Sequence, residues 1–313
     1  MNESFLAAVR VVVPMVLTMF LGWLFRVRGI VDRVTMKNFD KLLFRIFMPT
    51  LLFKNIYDMD FSQGLAVKEM IFAGVCLTVL FAFCVTFPKL LTSDGNKSSV
   101  IGQAVVRGNY ILFGVAVSEA LYGEGNVGAV VMLGVVVIPA INIFAAVILE
   151  LNRSGKADVG KLFLAILKNP MIIGAICAFV FKIFHIIIPG PVWSVVRSVA
   201  NSTTTLSFIS LGVGLEMAAV DSDKKLLAWG IVLRMVVVPL IFMPLSILAG
   251  FRDQSLCAMM IVFAAPTAVS SYPMAVAMGA DGKLAGQFVC STTILSVVTI
   301  FLWTLLLKTV GFI

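Results

Sequence analysis

Arg107-Gly108-Asn109-Tyr110-Ile111-Leu112-Phe113-Gly114 and Ala265-Pro266-Thr267-Ala268-Val269-Ser270-Ser271-Tyr272-Pro273 interrupt two apolar runs, one in each half of the chain. A proline inside a helix removes a backbone donor and clashes with the preceding turn, while glycine tolerates unwound backbone. Both runs can therefore open where these residues fall. Leu121-Tyr122-Gly123-Glu124-Gly125 ends the first run and Met278-Gly279-Ala280-Asp281-Gly282 ends the second, so Gly123 and Gly279 align at an offset of 156, half of 313 residues. Under that offset Asn109 and Gly114 fall opposite Ala265 and Ser270, beside Pro266 and Ser271.

The surrounding chain is 60% hydrophobic and 13% charged, with a mean hydropathy of +1.07. Soluble domains carry about a quarter charged residues, so this composition belongs to a membrane protein. Ten spans are expected: Phe5 to Phe25, Leu42 to Tyr57, Met70 to Leu90, Val100 to Leu121, Val127 to Leu149, Leu162 to Ile188, Val192 to Leu215, Leu226 to Ala249, Leu256 to Met278, and Leu284 to the end. Most approach ~20 residues without polar alternation, which fits helices and not barrel strands. The first span lacks a basic leader and a small-residue cleavage site, and is expected to be retained.

Loops after the odd-numbered spans carry Arg26, Arg28, Arg33, Lys37, Lys41, Lys97, Arg153, Lys156, Lys161, Lys224, Lys225 and Lys283, against Lys68 and Arg252 on the other side. The bias places the basic loops in the cytoplasm and both termini outside, in the plasma membrane. The net charge of +8 thus reads mainly as an orientation signal, and nucleic-acid binding is not expected. Cys76, Cys84, Cys177, Cys257 and Cys290 all fall within spans, at no metal-ligand or redox spacing.

Five spans, a basic segment around Arg153 to Lys161, and five more spans divide the chain into residues 1–150 and 151–313. Each half has an odd number of spans, so the second enters the membrane inverted. Inverted repeats recur in secondary transporters, whose sites form at matching broken helices near the midplane. Half-helix N-termini there favour an anion, with Asn109, Ser270, Ser271 and Tyr272 as added hydrogen-bonding groups. Tyr110, Gly108, Gly114, Pro266 and Pro273 complete the two broken stretches. The alternative is that the prolines and glycines only kink the helices for packing.

The sequence resembles the auxin efflux carrier family, whose bacterial members are often labelled malate or malonate permeases. The marks are Phe47-Met48-Pro49-Thr50-Leu51-Leu52-Phe53, Arg107-Gly108-Asn109 with Phe113-Gly114, and Lys168-Asn169-Pro170. They continue with Leu211-Gly212-Val213-Gly214-Leu215, Leu233-Arg234 with Pro239, and Ala265-Pro266. The resemblance implies an all-α membrane protein of ten transmembrane helices in two inverted five-helix repeats. Helices 4 and 9 would be broken and cross, as in the sodium/proton antiporter and bile acid symporter folds. It also implies a scaffold bundle, a homodimer formed through it, and a second bundle that moves against it. In plant members an Asn at the helix 4 crossover and another in helix 5 line the anion site, and Asn109 and Asn142 look similar. The chain reads Val115-Ala116-Val117 where the family often has a proline, and the long loop of many plant exporters is missing.

Arg107 and Arg234 lie deepest among the charged residues, about eight positions into their spans. Intramembrane charges suggest function with a partner. Either arginine could attract an anion; Arg234 could instead contact carbonyls within the bundle, and Arg107 could reach back to the inner surface. Glu119, Glu150 and Glu216 lie at span ends, which disfavours sodium/proton exchange at a central carboxylate. Whether a proton, sodium or no ion is coupled stays open. Gly123-Glu124-Gly125-Asn126-Val127-Gly128 fits a dinucleotide pattern but follows no strand and reads as a turn. His185 reads as an interface residue. No catalytic set, cofactor or metal cluster is expected. The expectation is a secondary carrier of a small organic anion, a malate- or malonate-type carboxylate or an auxin-like acid; a cation antiporter of the same fold or a membrane sensor is the alternative.

Overall fold

The computed structural model describes residues 3–58, 67–123, 126–153, 167–214 and 223–313. The basic segment expected between the halves, Lys156 and Lys161 included, lies outside them, as do Glu124, Gly125, the start of the span drawn from Leu162, and Leu215 with Glu216. The described chain is helical, without strands. Helices α1 (Glu3–Val27), α2 (Arg33–Leu42), α3 (Met48–Tyr57), α4 (Val67–Thr86) and α5 (Pro88–Leu91) are followed by α6 (Gly95–Val106), α7 (Tyr110–Tyr122) and α8 (Gly128–Arg153). Then come α9 (Pro170–Ile183), α10 (Gly190–Gly214), α11 (Lys224–Val232), α12 (Val238–Leu248), α13 (Asp253–Ala264), α14 (Ser271–Ala277) and α15 (Gly282–Thr309). Four helical stretches, Val67–Leu91, Gly128–Leu151, Lys224–Leu248 and Gly282–Thr309, are long and apolar enough to cross a membrane.

Exposed Ile71, Val75, Val79, Leu240, Ile241, Leu295, Val298 and Leu302 cover helix faces that a soluble protein would turn inward. The buried interior is apolar too, and also gathers small and hydroxylated side chains such as Ala145, Ala146, Ser207, Ser210, Thr292 and Ser296. Apolar outer faces are what lipid demands, since apolar side chains gain nothing by leaving it, and small residues inside allow the close backbone contact that drives helix association. At the crossing of α1 and α10 a Cβ on Gly22 would lie 2.2 Å from the Ile209 carbonyl oxygen, and one on Gly212 2.0 Å from that of Met19. Only glycine lets these two backbones touch.

The span drawn from Leu42 begins earlier, at Arg33. Helices α2 and α3 form one run joined by a π-helical turn, Leu43–Phe47. A second π-helical turn, Leu233–Val237, joins α11 to α12. Each turn is followed two residues later by a proline, Pro49 and Pro239. A proline cannot donate to the carbonyl four residues back, and the chain widens so that Met48 and Val238 donate five residues back, to Leu43 and Leu233. The second widened turn carries Arg234.

Packing divides the helices into two groups. Helices α1, α2, α3, α9 and α10 form one group, and α4, α6, α7, α8 and α11 to α15 form the rest; α1 packs on α7 and α15 as well as on α10, and α14 lies against both α2 and α10. The groove between the groups holds the site.

Candidate functional site

The helices open at residues 107–109 and 265–270, and the two breaks cross. Helices α6 and α13 have twelve residues each, and end at Val106 and Ala264. The chain resumes as α7 at Tyr110 and as α14 at Ser271, so the first break takes three residues and the second six. The breaks pair as a short antiparallel bridge between Gly108 and Thr267. Asn109 N–H donates to the Pro266 carbonyl at 2.8 Å and Ala268 N–H to that of Arg107 at 2.9 Å. Backbone groups released by unwinding in an apolar interior need partners, and here each break supplies them to the other.

The C-terminal ends of α6 and α13 meet behind this bridge, and Arg234 serves both. Its Nε donates to Ala265 O at 2.8 Å, Nη1 to Val105 O at 2.9 Å and Nη2 to Val262 O at 3.3 Å. The last carbonyls of a helix lack intrahelical partners and carry the negative end of its dipole, so one buried guanidinium satisfies hydrogen bonds and offsets charge at once. Thr267 Oγ1 adds a bond to Ala104 O at 2.9 Å, and Thr292 Oγ1 accepts from Thr267 N at 3.1 Å. Gly108 has no alternative, because a Cβ there would lie 2.1 Å from Arg234 Nη2.

On the other face of the crossing is a cavity of ≈ 530 Å³. Of the expected site residues, Gly108, Asn109, Tyr110, Asn142, Ser270 and Arg107 line it. Arg107 is 2% exposed, so it does not reach back to the inner surface. Its Nη2 donates to Asn142 Oδ1 at 2.6 Å and its Nη1 points at Met274 Sδ, 3.3 Å away. Asn142 Nδ2 is fixed in turn on Ile138 O at 2.7 Å, so both ends of that amide orient the arginine. Tyr110 turns its hydroxyl away, onto Val130 O at 2.8 Å, and contributes its ring.

The first amides of α7, those of Tyr110, Ile111 and Leu112, belong to residues on the cavity wall, and the Asn109 side chain makes no capping bond to them. Helix α14 is different. Ser271 N–H donates to Ala268 O at 2.9 Å and Tyr272 N–H to Val269 O at 3.2 Å, and Pro273 has no N–H. The expected pair of anion-attracting N-termini is therefore one, because a local turn consumes the amides of the second.

Five expected residues stand elsewhere, as does Arg234. Gly114 lies inside α7, where its missing Cβ makes room for Val130 Cγ1. Pro266 gives its carbonyl to Asn109. Ser271 is buried with its hydroxyl unbonded, and Pro273 is enclosed in α14. Tyr272 faces a second cavity on the far side of Ser271. Arg234 is 0% exposed and its donors are on carbonyls, which excludes it from the cavity as an anion attractor.

The opposite wall was missed by sequence reasoning. It is made by Lys54 and Asn55 of α3 and by Asn201, Thr203, Thr204 and Ser207 of α10. The signal was present in Asn201-Ser202-Thr203-Thr204-Thr205, a polar run in the middle of an apolar span. Lys54 also pairs with Asp58 at 3.2 Å. Arg107 and Lys54 are the charged residues of the lining, which contains no Asp or Glu among the described residues.

A helical membrane protein with a cavity of mixed polar and apolar lining at the crossing of two unwound helices has the architecture of a membrane transporter, in agreement with the known proteins it resembles. Residues 7–304 match the family described as Membrane transport protein, and the chain belongs to it, the auxin efflux carrier family. It is also similar to an uncharacterized transporter of Methanothermobacter thermautotrophicus, 20% identical over 312 residues that take in 97% of this chain and 99% of that one.

Proposed function

We propose that the protein is a secondary carrier of a small organic anion, a malate- or malonate-type carboxylate, working by alternating access. The observation that carries this reading is the cavity lining, in which the buried Arg107 guanidinium meets an amide oxygen and a thioether and, among the described residues, no carboxylate. A buried charge without a counter-ion is costly, and an anionic ligand would remove that cost. Volumes of about 300–1,000 Å³ suit small ligands, and ≈ 530 Å³ leaves room for a short carboxylic acid with some water.

In this reading the carboxylate lies against Arg107 and the α7 amides, with Asn109 beside it and Asn142 holding the arginine. The wall of Asn55, Asn201 and Thr204 takes the remainder of the molecule. The two halves, 1–150 and 151–313, are inverted repeats; the equal lengths of α6 and α13 and the mutual pairing of the breaks support this. In this reading the cavity opens on the side of Lys54 and Asn55, away from the basic segments and outside if those segments face the cytoplasm, and the group carrying the crossing moves against α2, α3 and α10.

Uptake of labelled malate, malonate and indole acetate into proteoliposomes tests the proposal. Transport of a short carboxylate, slowed in Asn109→Ala and in Asn142→Ala, is expected. If both variants transport like the parent, the site is wrongly placed. Sodium-driven proton movement with no organic anion would replace the proposal by cation exchange.

A further inference from the structure

The second cavity, of ≈ 340 Å³, lies in the same groove as the first. Along the α2–α3 run the first cavity takes Met48 to Asn55 and the second Met36 and Asp40; along α10 they take Ala200 to Ser207 and Val213 to Gly214. From the second break into α14 they take Ala268 to Ser270 and then Tyr272 and Val276. All three elements thus pass from one cavity to the other, and the turns between carry Phe44, Phe208, Leu211 and Ser271, all buried. A molecule leaving the first cavity toward the other face would pass through this plug and enter the second.

Asp40 stands in that second cavity at 1% exposure. Its carboxylate accepts a short hydrogen bond from Ser210 Oγ, and no cation pairs with it among the described residues. The surrounding charged and titratable groups do not bond it. Arg26, on α1, donates to Val213 O at 3.2 Å. Asp281 caps α15 through Leu284 N at 2.9 Å. The Tyr272 hydroxyl lies against Gly214, where a Cβ would be 1.8 Å from it. Lys41 and Arg45 on the same run are exposed and Lys283 is half-buried. The side chains of Arg33 and Lys37, and residues 215–222, lie outside the described set.

Resting on the anion-carrier reading above, we propose that Asp40 is a proton-binding gate: the anion passes the second cavity only while Asp40 carries a proton. Ionised, Asp40 places a negative charge on the route with no cation among the described residues bonded to it, and like charges at close range in a poorly solvated groove repel strongly. Neutral, it is a hydrogen-bond donor to a passing carboxylate. The proton comes from water on that face and returns to it after passage, with no other bond made or broken. Ser210 holds the side chain on the α2–α10 side, facing α14, so the gate stands at the contact between the two helix groups.

The test is exchange of labelled malonate in proteoliposomes at equal pH on both sides, over a range in which malonate stays ionised. Exchange by the parent falls as pH rises, because Asp40 loses its proton. In Asp40→Asn, permanently neutral and nearly isosteric, the fall is lost and exchange stays fast at high pH. Asp40→Glu keeps a fall and guards against misfolding of the first variant. A parent-like pH profile in Asp40→Asn overturns the gate while leaving the carrier standing. Exchange of no carboxylate by any variant overturns the carrier reading instead, and infrared titration then decides on Asp40 without substrate. A protonated-carboxyl band that disappears in Asp40→Asn is expected, and its absence at every pH overturns the proton site.

Discussion

Arg107 and Arg234 look alike in the sequence, each about eight residues inside an apolar run, and the structure gives them opposite work. Arg234 meets three carbonyls from two helix ends, so each of its three nitrogens donates to the fold. Arg107 meets one amide oxygen and a thioether, a weak acceptor, and retains hydrogen-bonding capacity at the cavity. Their different partners were not legible because Val105 and Val262 are remote in sequence and converge only once the helices have crossed. Arg107→Gln should therefore weaken anion binding about ten- to hundredfold, the worth of a charged hydrogen bond of about 1.5–3 kcal/mol, with little loss of stability. Thermal shift with malonate measures both quantities. Gly108→Ala should act on the other arginine, pushing its guanidinium off the carbonyls and lowering stability by about 1–3 kcal/mol. A variant that melts with the parent would show that Arg234 has room to move.

The breaks were readable as elements to within a few residues, since proline and glycine mark where a helix can open. Their unequal lengths were not, because six residues after Ala264 are held by a turn whose partners, Ala268 and Val269, lie within the break itself. The start of the α2–α3 run was also missed. Lys37, Asp40 and Lys41 make that segment look like a loop, yet Asp32 caps it by accepting from Thr35 N at 2.7 Å and the helix runs on unbroken. Asp40 was hidden by that boundary alone. At the same scale, Thr267 ties the second break to the end of α6 and to α15. Thr267→Val keeps the shape and removes the bond to Ala104 O, leaving a buried carbonyl one partner short. A loss of about 1–3 kcal/mol is expected in chemical or thermal unfolding. An unchanged midpoint would mean that another donor replaces the hydroxyl.

For the whole molecule, the proposed alternating access requires that the two cavities, at successive levels of one groove, exchange access to opposite faces. In a Cys177→Ser background, which removes the exposed native thiol, Thr204→Cys and Val276→Cys place a label in the first and second cavities. Impermeant thiol reagents should reach them from opposite sides, and substrate should change the two rates in opposite senses. Parallel changes would argue against alternating access. The mutual bridge of the breaks bears on how the protein is made as well as on how it moves. Asn109 N–H finds its acceptor only at Pro266, so a nascent chain that has inserted its first half holds an open helix whose partner has not been synthesised. In the bilayer that half is unfinished however many helices it contains. Separately expressed halves should accordingly be degraded when alone and rescued when made together, each completing the other's main chain.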